Sequence, residues 1–135
     1  MSNFILVEHD AKRAGKHLDL RFEMPNSKLW ASFVIKTIPK EENLKVLAIK
    51  TNNHNKQNAL YTGTIKSGYG AGTLKREDGG KCNIIKYSNN QITIDFKGSI
   101  LKGIYHLIFI GVIRKRKNGK QKKYLFFKGK IETKK

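Results

Sequence analysis

Acidic residues are scarce: Asp and Glu number 10 against 28 Lys plus Arg in a chain of 135 residues, a formal charge of +18. That excess runs from Lys12 to Lys135, so it marks a whole surface and not one basic tail. Such a field attracts phosphate backbones through counterion release whatever their base sequence, and the expected partner is nucleic acid. An anionic membrane surface would satisfy the charge equally well. A spanning helix is not expected, because the longest apolar run, Ile104 to Ile113, contains His106 and Gly111 and falls short of about 18 residues. The start, Met1 to Val7, lacks the basic and long apolar regions of a signal peptide. Cysteine occurs once, at Cys82, which excludes an internal disulfide and a multi-thiolate zinc site. These absences predict a cytoplasmic or nucleoid-associated protein with no membrane partner. Also missing are an internal repeat, a P-loop and a nucleotidyltransferase lysine motif, so ligation would fall to a separate DNA ligase.

What is present alternates. Apolar residues recur at period two more often than at helical spacing, and two prolines with twelve glycines punctuate short runs. This predicts a mostly β chain, one domain over residues 1–135, with a single core. Candidate strands are Phe4 to Val7, Leu18 to Met24, Leu29 to Ile35, Leu44 to Thr51, Ala59 to Ile65, Gly72 to Lys75, Asn83 to Tyr87, Gln91 to Phe96, Ile104 to Ile113 and Tyr124 to Lys130. Turns are expected at Pro25-Asn26-Ser27, Asp78-Gly79-Gly80, Ser88-Asn89-Asn90 and Lys117-Asn118-Gly119. Strands so short and numerous favour a barrel or a sandwich. The basic tract Arg114 to Lys123 reads as a solvated hairpin tip or as a loop gripping phosphate.

The segment His17-Leu18-Asp19-Leu20-Arg21-Phe22-Glu23-Met24 is a strict alternation of ionisable and apolar side chains. On a strand, Leu18, Leu20, Phe22 and Met24 enter the core while His17, Asp19, Arg21 and Glu23 line the other face about 6 to 7 Å apart. With His9 on the preceding segment the set becomes two histidines and one carboxylate, which suits a divalent transition metal and leaves coordination positions open. Arg21 stands one pleat beyond, where its planar fork suits a phosphate. The same alternation is ordinary on any half-exposed strand. His54, in the polar stretch Asn52-Asn53-His54-Asn55, and the glycine-rich Gly68-Tyr69-Gly70-Ala71-Gly72 are further candidates for contact with a phosphate, although such glycines also serve tight bends. His106, inside an apolar strand, is expected to be a hydrogen-bonded core histidine.

The ordered set His9-Asp10-Ala11-Lys12-Arg13, His17-x-Asp19-x-Arg21-x-Glu23, Trp30-Ala31, His54 nine before Gly63, Tyr69-Gly70-Ala71-Gly72-Thr73, Leu101-Lys102-Gly103-Ile104-Tyr105-His106-Leu107 and Tyr124-Leu125-Phe126-Phe127-Lys128 resembles the phosphoesterase domain family of bacterial ligase D. The resemblance implies a single-domain compact β-barrel with short connecting loops. It implies an enzyme that uses manganese (Mn2+), or another divalent metal such as Zn2+ or Co2+, to repair DNA or RNA 3′ ends on a primer-template. Removal of a terminal ribonucleoside leaves a 3′-phosphate, which a monoesterase step converts to a 3′-hydroxyl for ligation or synthesis, and a monomer is expected. By the same resemblance His9, His17 and Asp19 match metal ligands, while Arg21 and His54 engage the scissile phosphate, His54 as transition-state stabiliser or general acid.

The chain departs from the family pattern in places. Seven residues separate His9 from His17 where five are usual, the insertion covering Ala14-Gly15-Lys16. Asn58 stands at an active-site tyrosine position, for which Tyr61 or Tyr69 is a candidate substitute, and Asn52 stands at an acidic one. Val46 occupies an arginine position, leaving Lys45 or Lys36 as the cationic replacement. Two other readings of the residues remain: a non-catalytic nucleic-acid-binding barrel using Trp30, Tyr61 and Tyr69 to stack bases, and a His-His-Asp iron oxygenase, which leaves the basic surface unexplained.

Overall fold

The computed structural model describes residues 1–13, 15–68, 71–115 and 119–129. Among these residues nine strands and one helical turn follow in order: β1 (Ser2–Ala11), β2 (Gly15–Glu23), β3 (Trp30–Ile35), β4 (Lys45–His54), α1 (Lys56–Ala59), β5 (Gly63–Ile65), β6 (Gly72–Tyr87), β7 (Gln91–Lys97), β8 (Lys102–Lys115) and β9 (Gly119–Lys128). All pairings are antiparallel. The order β1-β2-β3-β4-β9-β8-β7-β6 returns to its start through a β6–β1 ladder, so the sheet closes into a ring, with β5 added against β6 outside it. Closure removes the open edges that a sheet of this width would present.

Inward-facing residues fill the ring: Phe4 and Leu6 of β1, Leu20 and Phe22 of β2, Phe33 and Ile35 of β3, Ile94 and Phe96 of β7, Tyr105 and Leu107 of β8, and Phe126 of β9. Aromatic rings meet in two chains. Phe22 stacks on Phe33, which meets Tyr124 edge-on; Phe4 meets Phe96, then Tyr105, which stacks on Phe126. Each such pair adds about 0.5–1.5 kcal/mol beyond its burial. A second, smaller core lies outside the ring, where Ile5 and Val7 of β1, Trp30, Ala59 and Leu74 pack together with Ile65. β1 is therefore buried on both faces.

Several sequence expectations are corrected. The expected strand Ala59 to Ile65 is the end of α1 followed by β5. Asn55 starts that helical turn, its side chain accepting from the Asn58 N–H at 2.8 Å. Asp78-Gly79-Gly80 is no turn: Gly72 to Lys75 and Asn83 to Tyr87 are parts of the one strand β6, and the glycines lie beyond a register shift against Leu6 and Val7 of β1. Gly80, at φ +146°, takes a backbone that other residues resist. His106 is hydrogen-bonded, 2.8 Å from the Thr93 hydroxyl, but it alternates with the buried Tyr105 and Leu107 and so faces away from the core. The turns at Pro25-Asn26-Ser27 and Ser88-Asn89-Asn90 form as expected, Asn26 adopting φ 57°. Tyr69, Gly70, Lys117, Asn118 and the end of the expected last strand at Lys130 lie outside the described residues.

Asp78 has a structural task. Its carboxylate accepts the N–H groups of Ser99, Ile100 and Leu101 at 3.0, 2.9 and 2.7 Å, tying β6 to the β7–β8 turn. A side chain at Gly98 would collide with Asp78 and with the Phe4 ring, so that turn requires glycine. Burial alone would raise the Asp78 carboxyl, but the N–H donors of Leu101, Ser99, Gly79 and Ile100 outweigh it and hold the pKa below the ordinary value. Asp78→Ala is expected to cost about 1.5–3 kcal/mol. Because the native pKa is depressed, the contribution is complete above about pH 4 and is lost as pH falls through the lower native value. Urea unfolding of wild type and Asp78→Ala between pH 7 and pH 2 checks this; parallel curves at every pH would refute it.

Candidate functional site

The β1–β2 register builds the site. The hairpin pairs Ala11 with Gly15, so His9 falls directly opposite His17. Gly15, the first residue of β2, takes φ +80°. Two residues along β2, Asp19 lies on the same face, opposite Val7, and Arg21 follows opposite Ile5. That face turns away from the ring's interior, yet His9, His17, Asp19 and Arg21 are all buried, at 4–9 % exposure. Arg21 reaches the carbonyls of Asn58 and Ala59, and all four side chains line a groove.

Asp19 is the meeting point. Its Oδ2 lies 3.4 Å from His9 Nδ1 and 3.0 Å from an Arg21 terminal nitrogen, and its Oδ1 lies 3.2 Å from His17 Nε2. One ligand atom from each of His9, His17 and Asp19 lies within 4.8 Å of the others. The rings of the two histidines meet edge-on at 4.8 Å. The hydrogen bond to Asp19 raises the His17 pKa against the opposing effect of burial. For Asp19, burial pushes upward, but the hydrogen bond with His17 and the charge of Arg21 prevail and hold it ionised. Two imidazoles and an anionic carboxylate form a donor set suited to a divalent transition metal.

Arg21 is more constrained than a free phosphate fork. One terminal nitrogen is given to Asp19, and the other donates to the carbonyls of Asn58 and Ala59 at 3.3 and 3.0 Å, satisfying the end of α1. Nε is buried without a hydrogen-bond partner among the described residues. The guanidinium thus ties the carboxylate to the helical turn.

His54 ends β4 opposite Trp30, so Asn52, Asn53 and His54 extend the strand expected to end at Thr51, and Asn55 caps α1. It lines the same open groove, of about 1320 Å³, as His9, His17, Asp19 and Arg21. Burial first, and the Arg21 charge second, push its pKa below the ordinary value. Without a bound anion it is therefore a neutral imidazole at neutral pH. Lys36 lines the groove, whereas Lys45, near the start of β4, sits over the Phe127 ring at 5.3 Å and is not among the lining residues. Tyr61 donates to Thr64 O at 3.0 Å, bound up in its own loop, and Asn58 contributes its backbone carbonyl to Arg21. Asn52 lines the groove. Sequence reasoning passed over Lys50, which also lines it. Val46, Ala48 and Lys50 share the inward phase of β4, but Leu47 and Ile49 are apolar too, so the order of residues did not show which phase faces inward.

A closed antiparallel ring thus carries two histidines and an anchored carboxylate in a groove that Arg21, Lys36 and Lys50 also line. Residues 7–109, spanning all of these side chains, match the DNA ligase D 3′-phosphoesterase domain, and the chain belongs to that family. It is 32 % identical over 113 residues to the multifunctional non-homologous end joining protein LigD of Mycobacterium bovis and to the multifunctional non-homologous end joining DNA repair protein LigD of Mycobacterium tuberculosis. Those alignments cover 79 % of this chain and 14 % of each relative, so the chain spans about one seventh of their length.

Removing Asp19 strands a buried Arg21. Asp19→Ala is expected to lose about 3–5 kcal/mol, and the double variant Asp19→Ala/Arg21→Met to recover part of it. Guanidinium unfolding of the metal-free proteins measures both; a single variant as stable as wild type would show that the pair is not coupled to folding.

Proposed function

We propose that this chain is a divalent-metal-dependent 3′-end-healing phosphoesterase acting on DNA or RNA, with 3′-ribonucleoside phosphodiesterase and 3′-phosphatase activities that prepare 3′-hydroxyl ends. The observation that carries this reading is the convergence of His9, His17 and Asp19 ligand atoms within 4.8 Å, in a groove of a chain of this family. His9, His17 and Asp19 would hold manganese, or another divalent transition metal such as zinc or cobalt. Bound there, such an ion polarises phosphoryl oxygens and raises the electrophilicity of phosphorus.

The protein's own groups supply the rest. Arg21 orients the Asp19 carboxylate and leaves positive charge at the groove floor, where a phosphate is drawn in. Lys36 adds charge at the rim. An arriving phosphate, monoanionic as a diester and anionic also as a monoester, raises the pKa of His54, which takes up a proton and releases it to the departing sugar oxygen as the P–O bond breaks; water oxygen bonds to phosphorus and gives up its proton to solvent. We place the chain in DNA end joining, as the names of its relatives suggest, as an intracellular monomer with a compact barrel scaffold and with ligation supplied by a separate ligase. The iron-oxygenase reading finds no support in the family.

Labelled primers ending in a 3′-phosphate or a single 3′-ribonucleotide are expected to be converted to 3′-hydroxyl ends with manganese and left intact in chelator. His17→Ala should lose both manganese binding and conversion. Oligonucleotide binding with no metal-dependent conversion would favour the non-catalytic alternative.

His54→Ala is expected to slow turnover by about 10²- to 10⁴-fold while keeping its manganese affinity, measured by calorimetry. Since the free imidazole is depressed, the wild-type kcat/KM limb that reports His54 protonation should fall as pH rises through a value below the ordinary 6.5. A variant with wild-type rates at every pH would remove His54 from the chemistry.

A further inference from the structure

At one end of the ring the inward-facing positions change character. Along β4 the inward phase runs Val46, Ala48, Lys50, and along β9 it runs Phe126, Tyr124, Lys122. The apolar filling thus gives way to lysine on two neighbouring strands at the same mouth. Lys50 and Lys122 both line the groove that holds the histidine–aspartate cluster.

Lys50 is set up as a binding group. Its Nζ donates to Thr51 O and, at 2.7 Å, to Asn53 Oδ1, and stands 5.9 Å from the Phe33 ring centroid. No carboxylate pairs with it among the described residues. Burial, with the repulsion of Lys122 added, lowers its pKa to about 8. A half-buried ammonium pressed by a second cation gains from any anion that enters between them.

We infer that Lys50 and Lys122 form a second phosphate subsite at the mouth of the ring, holding a phosphodiester of the strand whose 3′ end lies at the histidine–aspartate cluster. The inference rests on the phosphoesterase reading for the identity of the strand. Both places line the one open groove, and Lys50 lies close enough to His54 for its charge to act on that imidazole. An ammonium contacts phosphate as a point charge without reading bases, so the subsite secures the strand independently of sequence.

The test is equilibrium binding, by fluorescence anisotropy across a salt series, of a single-stranded oligonucleotide with an unreactive 3′-hydroxyl, in chelator. Lys50→Gln and Lys122→Gln are each expected to flatten the slope of log affinity against log salt by about 0.7 and to weaken binding about fivefold to tenfold at about 0.05 M salt. Lys50→Arg should retain most of the affinity, and circular dichroism checks that each variant is folded. Lys102→Gln, an exposed lysine away from the groove, should change less. Equal effects at Lys102 and Lys50 would show diffuse charge and overturn the subsite, as would wild-type slopes in both groove variants. Catalysis plays no part in this binding. Failure of wild-type protein to process 3′ ends while the groove lysines still govern the slope would therefore overturn the phosphoesterase reading alone.

Discussion

The carboxylate of Asp19 is out of water, and everything around it answers that. A buried anion is tolerated only when paired and hydrogen-bonded. Here His9, His17 and Arg21 supply the compensation from β1 and β2, and Arg21 passes the constraint onward to the carbonyls of α1. One side chain therefore couples the hairpin register, the helical turn and the orientation of two imidazoles. A cluster held this way is assembled before any ligand arrives, which lowers the cost of ordering at binding.

The ring sets the stage by burying the β1–β2–β3 corner twice. Aromatic side chains fill its inside, and Trp30, Ile5 and Val7 with Ala59 and Leu74 cover part of its outside. Polar side chains in the outward phase of β2 are sheltered from bulk water without entering the main core. In such a place electrostatic interactions are stronger than at a surface, which accounts for the shifts at His17, Asp19 and His54.

Much of the local pattern was legible. The alternation from His17 to Met24 put Leu20 and Phe22 inside and the ionisable residues opposite, as found, because a strand's two-residue period admits no other division. Asp78-Gly79-Gly80 misled, since glycines at a register shift within a long bent strand carry the same composition as a hairpin turn. Ala59 to Ile65 misled for a related reason: one turn of helix is too short to display a 3.6-residue period, and only the Asn55 cap announced it. Lys50 was overlooked because its inward phase is evident only once β4 is paired.

The sequence alone determined the charge, the β character, the family and the identity of the candidate ligands, since all of these follow from residue types and their order. The antiparallel register decided that His9 meets His17, and ring closure with α1 decided that the charged face of β2 is a buried groove floor. Tertiary packing also turned Arg21 into a tie between Asp19 and α1, lowered His54, and aligned Lys50 with Lys122. Those outcomes depend on contacts between residues distant in the chain, and solvation and electrostatics are properties of such neighbourhoods, not of any segment read by itself.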